Sequence, residues 1–344
     1  MNELSRNETA RSLWADALRT LCCLMVVIIH VSGTDWYTLP TDSADWLVSN
    51  IADSLVRPSV VLFFMLSGCF MLKKDTEPKK LLMKALRLAV LWLGASVFYT
   101  FYTYRTQIFH SPKLLIYGVV HEYYHLWFLR TMAVLYLLVP VLRALIVYQD
   151  GRWVKWFLGV FLVFGILRQS LGLLPLEGET WYSFRLLFVP ELCQYSGYFV
   201  LGWYLTEKTA PAAGKKRVLY LLVYLLTAAL IAVGTHFYSL GAEMNDERLY
   251  SYMGLPAFVM AVSLFQLARA WRETALTRLM AKLAPLTLGI YVFHPLMLEL
   301  AVYFGVSKDW SRFAFIPAAV AAAFVGAALL SWCLRRVPFI KKFL

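Results

Sequence analysis

Three ionisable side chains fall at chemically suggestive spacings in one apolar stretch: Asp16, Arg19 and His30. At about 100° per residue, the step from Arg19 to His30 is three turns plus roughly 20°, so both share a face about 16 Å apart along the axis. Asp16 stands one turn before Arg19 on that face and is its natural partner. An arginine holds a phosphate or carboxylate, and a histidine exchanges protons near neutral pH. The run from Leu13 to Val31 is otherwise apolar enough to enter a bilayer. Charges there are costly unless they meet one another or a polar cavity, which makes function their default explanation.

Other apolar runs carry charges too: Arg57 in the second, Arg130 in the fourth, Glu191 in the sixth, and His294 and Glu299 in the ninth. Function outweighs packing for Arg19, His30 and Arg57, and His294 is balanced between the two. Arg130 and Glu191 read first as interhelical partners, and Glu299 as a group reaching the outer interface. Pro58 suits the first turn of a helix, where its missing N–H costs nothing. Ser67 and Gly68 are small enough for a close helix contact or for a ligand, and packing accounts for them equally well. Lys84 and Arg87, one turn apart at the start of the third run, suit phosphates but also anionic lipid or simple orientation charge. His121, Glu122 and His125 offer donors for a metal or a proton, yet no third ligand at suitable spacing makes zinc attractive. No resident metal is expected. Tyr123, Tyr124 and Trp127 fit an interfacial aromatic belt.

Elements that position these residues must be membrane helices. Of 344 residues, 60% are hydrophobic and only 16% charged, well outside the balance of a soluble domain. Runs of about 20 apolar residues predict ten helices, at 13–33, 55–72, 86–104, 126–148, 156–174, 186–205, 218–237, 252–271, 284–303 and 313–334. The fold class is therefore all-α, a polytopic bundle in a single membrane domain spanning 1–344. A net charge of +12 suggests nucleic acid at first sight, but the basic residues alternate between loops, so nucleic acid is not an expected partner. Lys73, Lys74, Lys79, Lys80, Lys84 and Arg87 crowd one connection, and Arg335, Arg336, Lys341 and Lys342 follow the last helix. The 34–54 connection has Asp35, Asp42, Asp45 and Asp53 and no basic residue. The positive-inside rule then predicts both termini in the cytoplasm. A cleaved signal peptide fits poorly, since Asp16 and Arg19 interrupt the apolar run and no small-residue cleavage site follows. Cys22, Cys23, Cys69, Cys193 and Cys333 lie inside predicted spans, without metal-ligand spacing, and read as packing residues.

The pattern resembles the membrane acyltransferase family 3. The resemblance rests on Asp16-x-x-Arg19-x10-His30, on Arg57 with Phe63-Phe64-x-x-Ser67-Gly68, on His125-Leu126-Trp127-Phe128, and on Leu288-Gly289-Ile290-Tyr291-x-Phe293-His294. It implies an acyl-CoA-dependent O-acyltransferase in a bacterial cytoplasmic membrane, with acetyl-CoA the expected donor. The acceptor would be a hydroxyl of an extracytoplasmic or lipid-linked glycan. It further implies His30 as the catalytic base or acyl carrier, and Arg19 as a group binding the donor or orienting the reactants. His294 or Arg57 would steady the developing oxyanion, and Ser67 joins the expected donor site. Many members carry Arg-x-x-Arg where this chain has Lys84-x-x-Arg87, and lysine lacks arginine's bidentate grip on phosphate. Many also carry a fused extracytoplasmic domain, which is not expected here. From the residues alone a second class stays open: a proton-coupled transporter relaying protons through Asp16, His30, His294 and Glu299. External aromatics (Trp36, Tyr37, Trp46, Trp181 and Tyr182) suit sugar stacking and interfacial anchoring alike.

Overall fold

In a computed structural model the chain is an all-α polytopic bundle. The structure describes residues 3–73, 75–170, 194–242 and 245–344. Among the described residues, nine helical segments are long and apolar enough to cross a membrane. The expected sixth span, 186–205, begins outside the described residues; its described part is a helix over Gln194–Lys208. Glu191 and Cys193 also lie outside.

The first helix, α1 (Glu3–Ser32), is free of glycine and proline and ends where Ser32 Oγ turns back to the Ile28 carbonyl at 2.8 Å and Gly33 follows. The second span differs from expectation. It starts at Ala44, not 55, and is broken into α2 (Ala44–Val56) and α3 (Ser59–Met71). Ser43 caps α2 by accepting from Trp46 N at 3.1 Å. Pro58 has no N–H to donate, so the break falls at Arg57-Pro58 and the arginine sits inside the span rather than at its edge. Leu47, Ile51 and Leu55 form the outward stripe of α2, while Asn50, Asp53 and Ser54 are buried.

Next come α4 (Pro78–Tyr104), the short α5 (Lys113–His121), α6 (Trp127–Val147) and α7 (Arg152–Val160), which runs on through a π-helical turn at Phe161–Leu167. After the undescribed stretch the chain forms α8 (Gln194–Lys208), α9 (Lys215–Ser239) and α10 (Leu255–Ala268). The last three are α11 (Ala275–Leu283), α12 (Thr287–Tyr303) and α13 (Arg312–Leu334). Thr274 and Thr277 cap α11 reciprocally. The ninth expected span, 284–303, therefore extends backward through a separate short helix.

The Ser67-Gly68 pair is resolved in favour of close packing at the glycine. A Cβ on Gly68 would lie 1.8 Å from the Phe199 carbonyl oxygen, and one on Gly202 would lie 2.0 Å from that of Met65. So α3 and α8 touch backbone to backbone, the contact that small residues permit in a membrane. One bundle end carries Lys79, Lys80, Lys84, Arg87 and Arg335, and is called the basic end below; the other carries Asp35, Asp45, Glu247 and Glu299.

Candidate functional site

Two cavities approach each other from opposite ends of the bundle. The smaller, about 170 Å³, lies toward the basic end and is lined by Arg19, Ser67, Phe63, Tyr136 and Tyr291, among others. Arg19 forms the expected pair with Asp16, at 2.5 Å and partly exposed. Ser67 has the Tyr136 hydroxyl as its partner, and the charges of Arg19 and Arg87 both reach that tyrosine. Lys84 and Arg87 do not line this cavity, although Leu88 does. They lie exposed on α4, with Lys84 Nζ 3.4 Å from Met71 Sδ and Arg87 Nε donating to the Phe343 carbonyl at 3.3 Å.

The larger cavity, about 750 Å³, lies toward the acidic end. His30 forms part of its wall, with Arg57, Asp53, Tyr124, Tyr250, Glu247 and Glu299 around it. Tyr291 lines the small cavity and Pro295 the large one. These positions are about one turn apart on α12, roughly 6 Å. His30 stands at that boundary, about 16 Å along α1 from Arg19.

Three imidazoles fill the boundary. His30 stacks on His294 with ring centroids 5.1 Å apart and 24° between planes, and His125 is 5.3 Å from His294 and 6.4 Å from His30. His294 Nδ1 faces two carbonyl oxygens, of Tyr291 at 2.8 Å and Ile290 at 3.2 Å. A carbonyl can only accept, so Nδ1 carries the hydrogen and buried Nε2 presents a lone pair with no partner. His125 has the opposite tautomer: Nε2 donates to the Val292 carbonyl at 3.2 Å and Nδ1 is unpartnered. Tyr291 donates its hydroxyl to the His125 carbonyl, fixing that segment to α12. Burial holds the His125 ring well below the usual histidine range, so it is neutral at physiological pH. The half-buried His30 ring makes no hydrogen bond among the described residues and edges onto Tyr124 at 4.8 Å. The arrangement offers a base open to the large cavity, backed by two rings that are each anchored through one nitrogen.

Arg57 is held rigidly. Its Nε is 2.5 Å from Asp53 Oδ1, both side chains being less than a tenth exposed. Its Nη1 donates to the Tyr250 carbonyl at 3.0 Å, and the guanidinium lies 4.5 Å over the Tyr250 ring. This is a fixed positive charge facing the cavity that His30 faces. Around the rim, the Tyr37 hydroxyl donates to Glu247, and Tyr123 donates to Glu299 at 2.7 Å.

Of the residues singled out by sequence, the structure brings His30, His294 and Arg57 together, and Arg19 with Asp16 and Ser67. Arg130 pairs with Glu122 at 2.9 Å, and Glu191 lies outside the described residues. Glu299 lines the large cavity. The trio His121, Glu122 and His125 does not converge: His121 is exposed against the Tyr117 carbonyl, Glu122 holds Trp92 and Arg130, and His125 turns inward. Trp36 and Tyr37 line the large cavity, whereas Trp46 is fully buried. Trp181 and Tyr182 lie outside the described residues. The sequence did not mark Asp53, Glu247 and Tyr250 for the site, and it grouped His125 with His121 and Glu122 rather than with His30. Asp53 had a signal, its i,i+4 spacing to Arg57; the others meet the site only through tertiary packing.

The model of a protein family described as an acyltransferase domain, acyltransferase family 3, matches residues 12–332. No curated protein matches the chain, and no solved structure does.

Proposed function

The chain belongs to acyltransferase family 3, a membrane acyltransferase at that level, and from this premise we propose its donor, acceptor and reacting groups. The donor is acyl-CoA, with acetyl the transferred group, entering from the basic end. Its acceptor is a hydroxyl of a glycan or lipid-linked glycan in the large cavity. In this reading the basic end and both termini are cytoplasmic, in keeping with the positive-inside tendency, and a bacterial cytoplasmic membrane would supply donor and acceptor on opposite faces. The observation that carries this reading is a cavity on either side of the His30–His294 stack, the smaller lined by Arg19 and the larger by His30, Arg57 and aromatic rings.

Arg19 holds a donor phosphate from within, and Arg87 and Lys84 meet the nucleotide outside the cavity. The thioester reaches the His30 boundary. His30 takes the proton of the acceptor hydroxyl as its oxygen attacks the thioester carbonyl. The C–S bond then breaks, and the proton returns to the departing CoA thiolate. Arg57, pinned by Asp53, provides fixed positive potential for the oxyanion. His294 and His125, each anchored by one nitrogen, hold the His30 ring in place.

Purified protein in liposomes, given acetyl-CoA labelled in the acetyl group, tests the reading. Release of CoA thiol with label passing to an acceptor glycan supports it. Uptake of a labelled solute without thiol release would favour the proton-coupled transporter.

A further inference from the structure

Away from both cavities, a third opening of about 660 Å³ lies between α11, α1 and α13. Its size is that of small-ligand pockets, ~300–1,000 Å³. Leu21 and Leu24 of α1, Met280 and Leu283 of α11, and Phe324 of α13 form its walls, with Arg272 at the N-terminal side of α11. The connection before α11 also contributes Trp271, whose ring suits the level of lipid headgroups. Leu276 and Leu279 of α11 also line the opening and are 64% and 57% exposed, so it is an apolar groove on the surface. Arg272 and Lys282 are exposed, and neither has an ion pair or side-chain hydrogen bond among the described residues. Arg278 is already matched with Glu273 at 3.6 Å.

We infer that this groove binds one anionic diacyl phospholipid, its chains between α11 and α1 and its phosphate on Arg272, with Lys282 adding positive potential. Charge chooses the occupant. An apolar groove with an exposed, unpaired arginine in its lining complements an amphiphile with an anionic head, and a zwitterionic lipid gains less there. The groove also has a structural link to the first helix. Thr20 Oγ1, from the residue after Arg19, donates to the Met280 carbonyl at 2.7 Å, tying α11 to that turn. A lipid filling the groove braces the turn that carries Arg19.

The test is lipid retention by the full chain. Protein reconstituted in phosphatidylcholine vesicles containing phosphatidylglycerol is re-extracted in mild detergent, and its retained lipids are quantified by mass spectrometry. Wild type should enrich phosphatidylglycerol over phosphatidylcholine. A basic side chain beside the bound headgroup contributes about a fivefold preference, so Arg272→Ala should lower enrichment about fivefold and Arg272→Ala/Lys282→Ala up to about twenty-five-fold. Leu24→Trp, which fills the groove, should displace the lipid; if it fails to fold, the charge variants decide alone. Lys79→Ala/Lys80→Ala, elsewhere on the basic end, should retain wild-type enrichment. Equal enrichment in wild type and the Arg272/Lys282 variant overturns the inference. So does retention of palmitoyl-CoA in place of phosphatidylglycerol when both are supplied.

Discussion

Replacing Asp53 by Asn removes the countercharge of Arg57 while preserving shape, and its cost follows from burial. The two side chains are 7% and 9% exposed and 2.5 Å apart, so the variant leaves a guanidinium with the Tyr250 carbonyl and the Tyr250 and Tyr252 rings but no countercharge at hand. Breaking a buried pair from one side costs about 3–5 kcal/mol. Both groups border the large cavity, and water there moderates the penalty, so about 3 kcal/mol is expected, roughly a hundredfold in the unfolding equilibrium. Arg57→Gln strands the carboxylate instead and should cost a similar amount. The double variant Asp53→Asn/Arg57→Gln removes both charges, leaves two amides able to pair, and should recover to within about 1 kcal/mol of wild type. Reversible unfolding in mixed detergent and SDS micelles, followed by circular dichroism, measures the cycle. A double variant that loses the sum of the single losses would refute the pair's role. Acyl transfer should stay low in the restabilised double variant, because the fixed charge facing His30 is gone.

Gly68→Ala should lower thermal stability in detergent by about 1–3 kcal/mol or more, because its Cβ would lie 1.8 Å from a backbone oxygen that cannot rotate away; wild-type stability would contradict the α3–α8 contact. Arg19→Gln should raise KM for acetyl-CoA about tenfold or more, as expected for losing one charge-assisted phosphate contact, with acceptor KM unchanged in steady-state assays. The buried neutral His125 titrates below its unfolded value of about 6.5. Its contribution is complete above pH 6.5 and is lost as pH falls toward the folded value, at up to about 1.4 kcal/mol per pH unit. Unfolding measured between pH 7.5 and 5 should therefore be less pH-sensitive in His125→Gln, and an unchanged slope would count against the ring's neutrality.

Much of the fold was legible because apolar length and helical geometry are local properties. The stripe from Asp16 to His30 needed only the helical repeat, and the structure retains it as an ion pair on one end and a cavity wall on the other. The second span began earlier than expected because Asp42, Asp45 and Asp53 read as a loop. Leu47, Ile51 and Leu55 in fact form an outward stripe, while Asn50 turns inward to the Ala232 carbonyl at 2.8 Å and accepts from Tyr250 at 2.6 Å. An acidic composition concealed a helix whose polar face was internal. His125 was obscured for another reason. It sits among belt aromatics in sequence, and only the folding of its segment against α12 turns it toward His30. Gly68 shows the reverse case: the small residue was visible, but its choice between ligand space and helix contact depended on Phe199, distant in sequence.

In the proposed reaction the His30 ring, on the wall of the large cavity, performs the proton transfer of acyl exchange. Turnover of acetyl-CoA to CoA and acylated glycan by His30→Ala, in liposomes and compared with wild type at equal amounts of folded protein, tests it most directly. Loss of turnover by two or more orders of magnitude, in line with general-base catalysis and with unchanged thermal unfolding, is the predicted result. Near-wild-type turnover in that variant would contradict it.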